Sequence, residues 1–395
     1  MRSSNLIFII GLLFIVLTDS IFWYQLKQYL RKKWEIVLYC LHSLIFVTAL
    51  TGFQLSVTRI KGPEAYFWFG TLIGLLFLFY LPKLIYILLN GTGNLLRKYC
   101  RHLSRYLKIS ATILAIFIFL LLLYSTSWGR YNYKIETVDV HLENLPVAFQ
   151  NYKIVQLSDI HLGSYGKHYK GIKKMVEEVN RLHPDLIVFT GDMVNNFATE
   201  MTPWIQSMAD LKAVDGKYAV TGNHDYGDYT HWPDIRQKQE NMQQFFRNMK
   251  AMGFHMLNND RIPLTSGRDT LWLTGVENWG KPPFPRYGKL AEAIDSLTGR
   301  TTILLSHDPS HWKAEILNYP NIALTLSGHT HAMQMGIKIG HKEWSPASYL
   351  YPEYDGLYQN GQQYLYVSRG QGYLGFPGRV GLRPVITELI LNPKE

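Results

Sequence analysis

A chain of 395 residues is longer than one hydrophobic core normally organises, so more than one structural unit is expected. The net charge of +10 and pI near 9.3 would suit nucleic acid, but many of the basic residues sit in short loops between apolar runs, which argues against nucleic acid as a partner. Both cysteines, Cys40 and Cys100, fall in the apolar first third, which excludes a disulfide framework or a thiolate metal site in the remainder.

In chain order, four apolar stretches come first, running approximately from Leu6 to Tyr24, Ile36 to Leu55, Tyr66 to Leu89 and Ile109 to Tyr124. Each approaches the roughly 20 apolar residues that a helix needs to cross a hydrocarbon core. No Ala-x-Ala-like cleavage site follows the first stretch and three more spans come after it, so it reads as an uncleaved helix rather than a signal peptide. Asp19 and Lys83 are expected toward span ends. Lys27, Arg31, Lys32 and Lys33 follow the first stretch, and Arg97, Lys98, Arg101, Arg105 and Lys108 follow the third, whereas only Arg59 and Lys61 lie between the second and third. Basic loops favour the cytoplasmic side, so the fourth span is expected to run outward and the domain after Trp128 to be extracytoplasmic. Residues 1–128 thus read as an all-α transmembrane bundle, 129–150 as linker and first strand, and 151–395 as a soluble domain.

In that domain short apolar strands end in clusters of His, Asp, Asn and Gly. Lys153 to Leu157 leads into Asp159-Ile160-His161, and Asp185 to Phe189 leads into Gly191-Asp192. Lys217 to Val220 leads into Gly222-Asn223-His224-Asp225, Thr301 to Leu305 into Ser306-His307-Asp308, and Ile322 to Leu326 into Gly328-His329-Thr330-His331. Helical spacing runs from His168 to Leu182 and from Gln237 to Met252. The alternation predicts an α/β domain of mixed sheets flanked by helices, with its chemistry beyond the carboxyl ends of the strands.

A cation bound without thiolates needs carboxylates and imidazoles, and two cations a few ångströms apart need a carboxylate that reaches both. Asp159 and His161 can point to one side of a strand end, Asp192 can bridge, Asn223 offers an amide oxygen, and His307, His329 and His331 complete two ligand shells. Glycines 191, 222 and 328 let the backbone turn tightly at the ligands. One such cluster alone reads as a turn or a helix cap; five at successive strand ends read as a dinuclear centre.

The order of these five motifs resembles the calcineurin-like metallophosphoesterase family over roughly residues 150 to 391. The resemblance implies two divalent ions, of manganese, iron, zinc or magnesium, between two mixed sheets. It assigns the first ion to Asp159, His161, Asp192 and His331, and the second to Asp192, Asn223, His307 and His329. It places His224 near the scissile phosphate, oriented by Asp225, and implies hydrolysis of a phosphoester by a metal-bridging hydroxide. Gln334, Tyr366 to Gly370 and Gly375-Phe376-Pro377 resemble a bacterial branch of membrane phosphodiesterases and lipid A pathway UDP-diacylglucosamine hydrolases, which often has Gly-Gly where Ala332-Met333 stand here. A multi-pass protein of the bacterial inner membrane is therefore expected. Tethering to the bilayer favours a lipid-linked or headgroup phosphodiester or pyrophosphate as substrate. Arg369 is a candidate phosphate contact, and the proline-rich loop from Trp279 to Pro285 a candidate pocket border. The alternative is a non-catalytic membrane sensor or scaffold with a metal-bound domain.

Overall fold

A computed structural model describes residues 2–56, 62–166, 169–282, 284–340 and 342–394. Arg59, Lys61 and His168, named above, lie outside the described residues, as does Pro283 of the loop from Trp279 to Pro285. The chain divides into two compact units: Met1–Gly129 with Gly375–Gly378, and Arg130–Leu374 with Arg379–Glu395.

The first unit is built of α1 (Arg2–Leu26), α2 (Lys33–Ser56), α3 (Glu64–Leu96) and α4 (Arg101–Ser127). All four are long and apolar enough to cross a membrane. Each extends beyond its apolar stretch into flanking polar residues, because a helix satisfies its own backbone hydrogen bonds wherever it lies. Asp19 and Lys83, expected toward span ends, meet each other between α1 and α3. Lys83 Nζ lies 2.6 Å from Asp19 Oδ1, the Tyr80 hydroxyl donates to Asp19 Oδ2 at 2.9 Å, and His42 Nδ1 is 3.3 Å from Lys83 Nζ. The physical reason is that an unpaired charge among apolar helices is costly, whereas a hydrogen-bonded pair between α1 and α3 offsets much of that cost.

The second unit contains, in chain order, β1 (Lys134–Leu142), β2 (Tyr152–Leu157), β3 (Leu186–Phe189), β4 (Lys217–Ala219), β5 (Phe254–Met256), β6 (Asp260–Ser266), β7 (Asp269–Gly275), β8 (Thr302–Leu305), β9 (Ile322–Ser327), β10 (Ile337–Ile339), β11 (Lys342–Trp344), β12 (Gly356–Asn360), β13 (Gln363–Val367) and β14 (Val385–Pro393). One six-stranded sheet runs β1-β14-β2-β3-β4-β5 and the other β12-β13-β9-β8-β7-β6. The hairpin β10-β11 stands as a sheet of its own. Strand β1, inside the expected linker region 129–150, pairs in parallel with β14 from Lys134↔Val385 to Leu142↔Pro393.

Alternation along the strands sorts side chains into layers. Ile154, Leu186, Val188, Ile303, Leu305, Leu324 and Leu326 fill the space between the sheets. Val155, Ile187 and Phe189 face the other way, onto α5 (Tyr169–Arg181), α6 (Ile205–Ala209) and α7 (Ile235–Ala251). Helix α5 buries Ile172, Met175, Val176 and Val179, the spacing of one helical face. Helix α7 starts where the Asp234 carboxylate accepts from Gln237 N–H at 2.8 Å, an N-cap. Because both faces of each sheet are covered, the central strands read as unbroken apolar runs. Strands β2, β3 and β4 are mutually parallel, as are β8 and β9, so the five loops after them emerge at carboxyl ends.

Candidate metal centre

Those five loops bring seven side chains together. Asp159, His161 and His331 offer ligand atoms within 4.8 Å of one another, and Asp192, His307 and His329 form a second such group. His161 Nε2 and His331 Nε2 are 3.1 Å apart, and Asp159 Oδ1 is 3.4 Å from His331 Nε2. In the second group Asn223 Oδ1 lies 3.1 Å from His307 Nε2 and 2.9 Å from His329 Nδ1. Asp192 faces both groups, with Oδ2 3.7 Å from His161 Nε2 and 3.2 Å from His307 Nε2.

The donor set fits divalent cations. Carboxylates, imidazoles and one amide oxygen are the ligands that borderline and hard ions take. Asp159, His161 and His307 are fully buried. Burial pushes the Asp159 carboxyl up to about 6, and holds the imidazoles of His161 at about 3 and His329 at about 4. Neutral imidazoles are the form that ligates, and the positive charge of a cation offsets the desolvation of the carboxylates. His307 Nδ1 donates to the Thr190 carbonyl at 2.7 Å, which leaves Nε2 as the ligating nitrogen. His329 N–H donates to Asp159 Oδ1 and Oδ2, both at 3.0 Å, and so joins the first and fifth motifs.

Five of the seven, Asp159, His161, Asp192, His329 and His331, have φ between 50° and 74°. Left-handed backbone turns each ligand inward, at a steric cost that Asp and His bear better than most residues. Of the three glycines expected to permit tight turns, only Gly191 needs positive φ, at 102°. Gly222 and Gly328 serve close approach: a Cβ at Gly222 would strike the Asp192 carboxylate, and one at Gly328 the Ser158 hydroxyl.

Asp225 corrects its expected role. Its carboxylate does not hydrogen-bond the His224 ring; it accepts N–H bonds from Asp192 (2.9 Å), Met193 (2.8 Å), Val194 (3.2 Å) and Gly222 (2.9 Å). A buried carboxylate three residues beyond Gly222 meets the amides of two crossing loops before it can reach an imidazole. The carbonyl of Asn195 holds His224 instead, accepting from Nδ1 at 2.9 Å, while His224 N–H donates to Asp192 Oδ1 at 2.9 Å. Arg369 is likewise bound elsewhere: it pairs with Asp355 at 2.6 Å and lies 3.4 Å from Glu343 and 3.6 Å from Glu136, with its side chain 6% exposed. Three carboxylates around one guanidinium leave it committed to structure.

Aromatic side chains that the motifs do not announce surround the ligands. Tyr229 accepts from Asn223 Nδ2 at 2.8 Å and packs on the His224 ring at 4.5 Å. The Tyr351 hydroxyl is 2.8 Å from His329 Nε2, and Phe284 of the proline-rich loop meets the His329 ring edge-on at 4.9 Å.

Residues 152–333 match the family model described as calcineurin-like phosphoesterase, and residues 1–130 match the one described as probable calcineurin-like phosphoesterase, transmembrane domain. The uncharacterized metallophosphoesterase YkuE of Bacillus subtilis is 32% identical over 283 residues, which cover 68% of this chain and 91% of that protein. The chain belongs to the calcineurin-like metallophosphoesterase family. Two animal proteins, each called transmembrane protein with metallophosphoesterase domain, are also similar. The one from Bos taurus is 33% identical over 272 residues (65% of this chain) and the one from Danio rerio 30% over 267 residues (66% of this chain). The chain spans 57% of the length of each of these two relatives.

Proposed function

We propose that this protein is a membrane-anchored, two-metal hydrolase of phosphoesters, acting on a phosphodiester or pyrophosphate of a lipid-linked or headgroup substrate. The observation that carries the reading is Asp192, whose Oδ2 faces both ligand groups. Asp159, His161 and His331 would hold one divalent ion with it, and Asn223, His307 and His329 the other. Two such ions supply charge neutralisation at a phosphoryl group and acidify water.

The chain's own residues do the rest. The Tyr229 hydroxyl turns the Asn223 amide so that its oxygen faces the ligands. The Asn195 carbonyl accepts a hydrogen bond from His224 Nδ1–H, leaving Nε2 to exchange a proton with the departing oxygen. Asp225 acts as a positioning residue by gathering the amides of the Asp192 and Asn223 loops.

Four apolar helices in the same chain support a substrate at the bilayer. The basic residues between the first and second and between the third and fourth spans support an extracytoplasmic catalytic domain. A C-terminal alkaline phosphatase fusion, active only outside, tests that side.

The test of the activity is hydrolysis of bis-p-nitrophenyl phosphate by the full chain with manganese, iron, zinc or magnesium. Turnover is expected, and Asp192→Asn is expected to lose both turnover and bound metal. Silence toward monoesters, diesters and pyrophosphates by protein that carries two ions would overturn the reading in favour of a sensor or scaffold.

A further inference from the structure

The hairpin β10-β11 grows directly out of the ligand loop, and its large apolar side chains are left uncovered. Pairing sets Ile337 opposite Trp344 and Lys338 opposite Glu343. Alternation along a strand therefore puts Ile337, Ile339 and Trp344 on one face and Lys338 and Glu343 on the other. In an ordinary soluble domain the apolar face would pack inward. Here Glu343 turns inward, 3.4 Å from Arg369, while Lys338 and the apolar side chains are exposed. The apolar face points away, with Ile337 58%, Ile339 76% and Trp344 46% exposed. Tyr349 and Leu350, at 79% and 63%, continue the patch, and the Trp344 and Tyr349 rings sit 6.1 Å apart.

An isolated two-stranded hairpin of three residues per strand is marginal in water, and a contiguous exposed apolar patch marks a surface that something covers. The same chain carries four helices of bilayer-spanning length, so the surface it permanently shares its volume with is a lipid one. Trp and Tyr beside Ile and Leu are the mixture that settles at the junction of headgroups and acyl chains.

The segment that follows the hairpin is tied to the metal centre at two points. Ser345 Oγ donates to the Ala332 carbonyl at 2.6 Å, one residue beyond His331. The Tyr351 hydroxyl touches His329 at 2.8 Å, one residue beyond Leu350.

We infer that the face formed by Ile337, Ile339, Trp344, Tyr349 and Leu350 inserts into the lipid interface, and so holds the metal centre against the headgroups from which its substrate is taken. The inference deepens the proposed function by naming the bilayer surface as the source of substrate, and for that last step it rests on that reading.

The test is a nitroxide at position 339, introduced as Ile339→Cys in the full chain carrying Cys40→Ser and Cys100→Ser. The protein is reconstituted in vesicles of phosphatidylcholine and phosphatidylglycerol, with Val214→Cys as the water-facing control, a residue 80% exposed. Power saturation is read with dissolved oxygen, which concentrates in lipid, and with a water-soluble nickel chelate. The expected result is a severalfold higher oxygen-to-nickel ratio at 339 than at 214. Equal ratios would overturn the inference. So would dipolar broadening at 339 that disappears on dilution with unlabelled protein, since a second copy would then cover the face. Hydrolysis of bis-p-nitrophenyl phosphate by the same variant is expected to match the parent. Absence of hydrolysis in both would sink the proposed activity while leaving the spin-label result to stand or fall by itself.

Discussion

The Asn223 side chain donates to the Tyr229 hydroxyl at 2.8 Å, and this one bond decides which end of its amide the histidines meet. With Nδ2 occupied, Oδ1 faces His307 and His329. Tyr229→Phe frees the amide to rotate and is expected to weaken the second ion about 10-fold or more, with the first ion nearly unaffected. Metal titration that resolves the two sites checks this; equal loss at both, or at neither, would contradict it.

His224 is held at Nδ1 by a backbone carbonyl and contributes only its main-chain N–H to Asp192. His224→Ala keeps that N–H. Turnover is therefore expected to fall by about 10²- to 10⁴-fold while two ions per chain remain bound. Elemental analysis beside steady-state kinetics separates the two effects.

Asp225→Asn replaces an acceptor of four amides with a group that must turn a donor toward two of them. A buried donor facing donors costs about 1–3 kcal/mol per unsatisfied group. The expected phenotype is lower thermal stability together with weaker metal binding, because the loops of Asp192 and Asn223 separate. A variant of normal stability and metal content that lost only turnover would instead give Asp225 a direct role.

Glu200 accepts from the amides of Asn195 (2.6 Å), Asn196 (3.0 Å) and Phe197 (2.9 Å), the loop whose Asn195 carbonyl holds His224. Burial pushes its carboxyl up from 4.5 to about 7. A raised acid takes up a proton on folding, so its contribution is most favourable below about pH 4.5 and declines as pH rises to about 7, by about 3 kcal/mol in all. Glu200→Gln removes that dependence. The stability of the wild type minus that of the variant should fall between pH 5 and pH 8 in denaturant titrations; a flat difference would refute the assignment.

Within the helical unit, Lys83→Met leaves Asp19 without its cation and is expected to destabilise the bundle by about 3–5 kcal/mol. Adding Asp19→Leu should recover most of the loss. A double-mutant cycle in detergent reads the coupling, and additive effects would mean the pair does not interact.

The fold, and the meeting of the seven candidate ligands, were legible because both follow short rules. Apolar runs of four to six residues ending in Asp, Asn or His mark strands that deliver ligands, and the structure brings all seven of those side chains together. What was illegible depends on partners far away in sequence. Tyr351 reaches His329 across 22 positions, and Arg369 finds Asp355, Glu343 and Glu136 on three other segments. Asp225 could have served a side chain or a backbone, and only the crossing of two loops selects the backbone. The hairpin β10-β11 is a further case, since alternation alone does not say that Ile337, Ile339 and Trp344 stay exposed.

The left-handed backbone at Asp159, His161, Asp192, His329 and His331 has a consequence for anyone who would retune the metal preference. Asp, Asn and His are the non-glycine residues most at ease at positive φ, and they are also the oxygen and nitrogen donors this chemistry needs. Chain geometry and coordination chemistry thus select from the same short alphabet. Exchanging a donor for cysteine to recruit a softer ion would meet resistance from the main chain before any ion was offered, so selectivity here is easier to alter from Tyr229 or Tyr351 than from the ligands themselves.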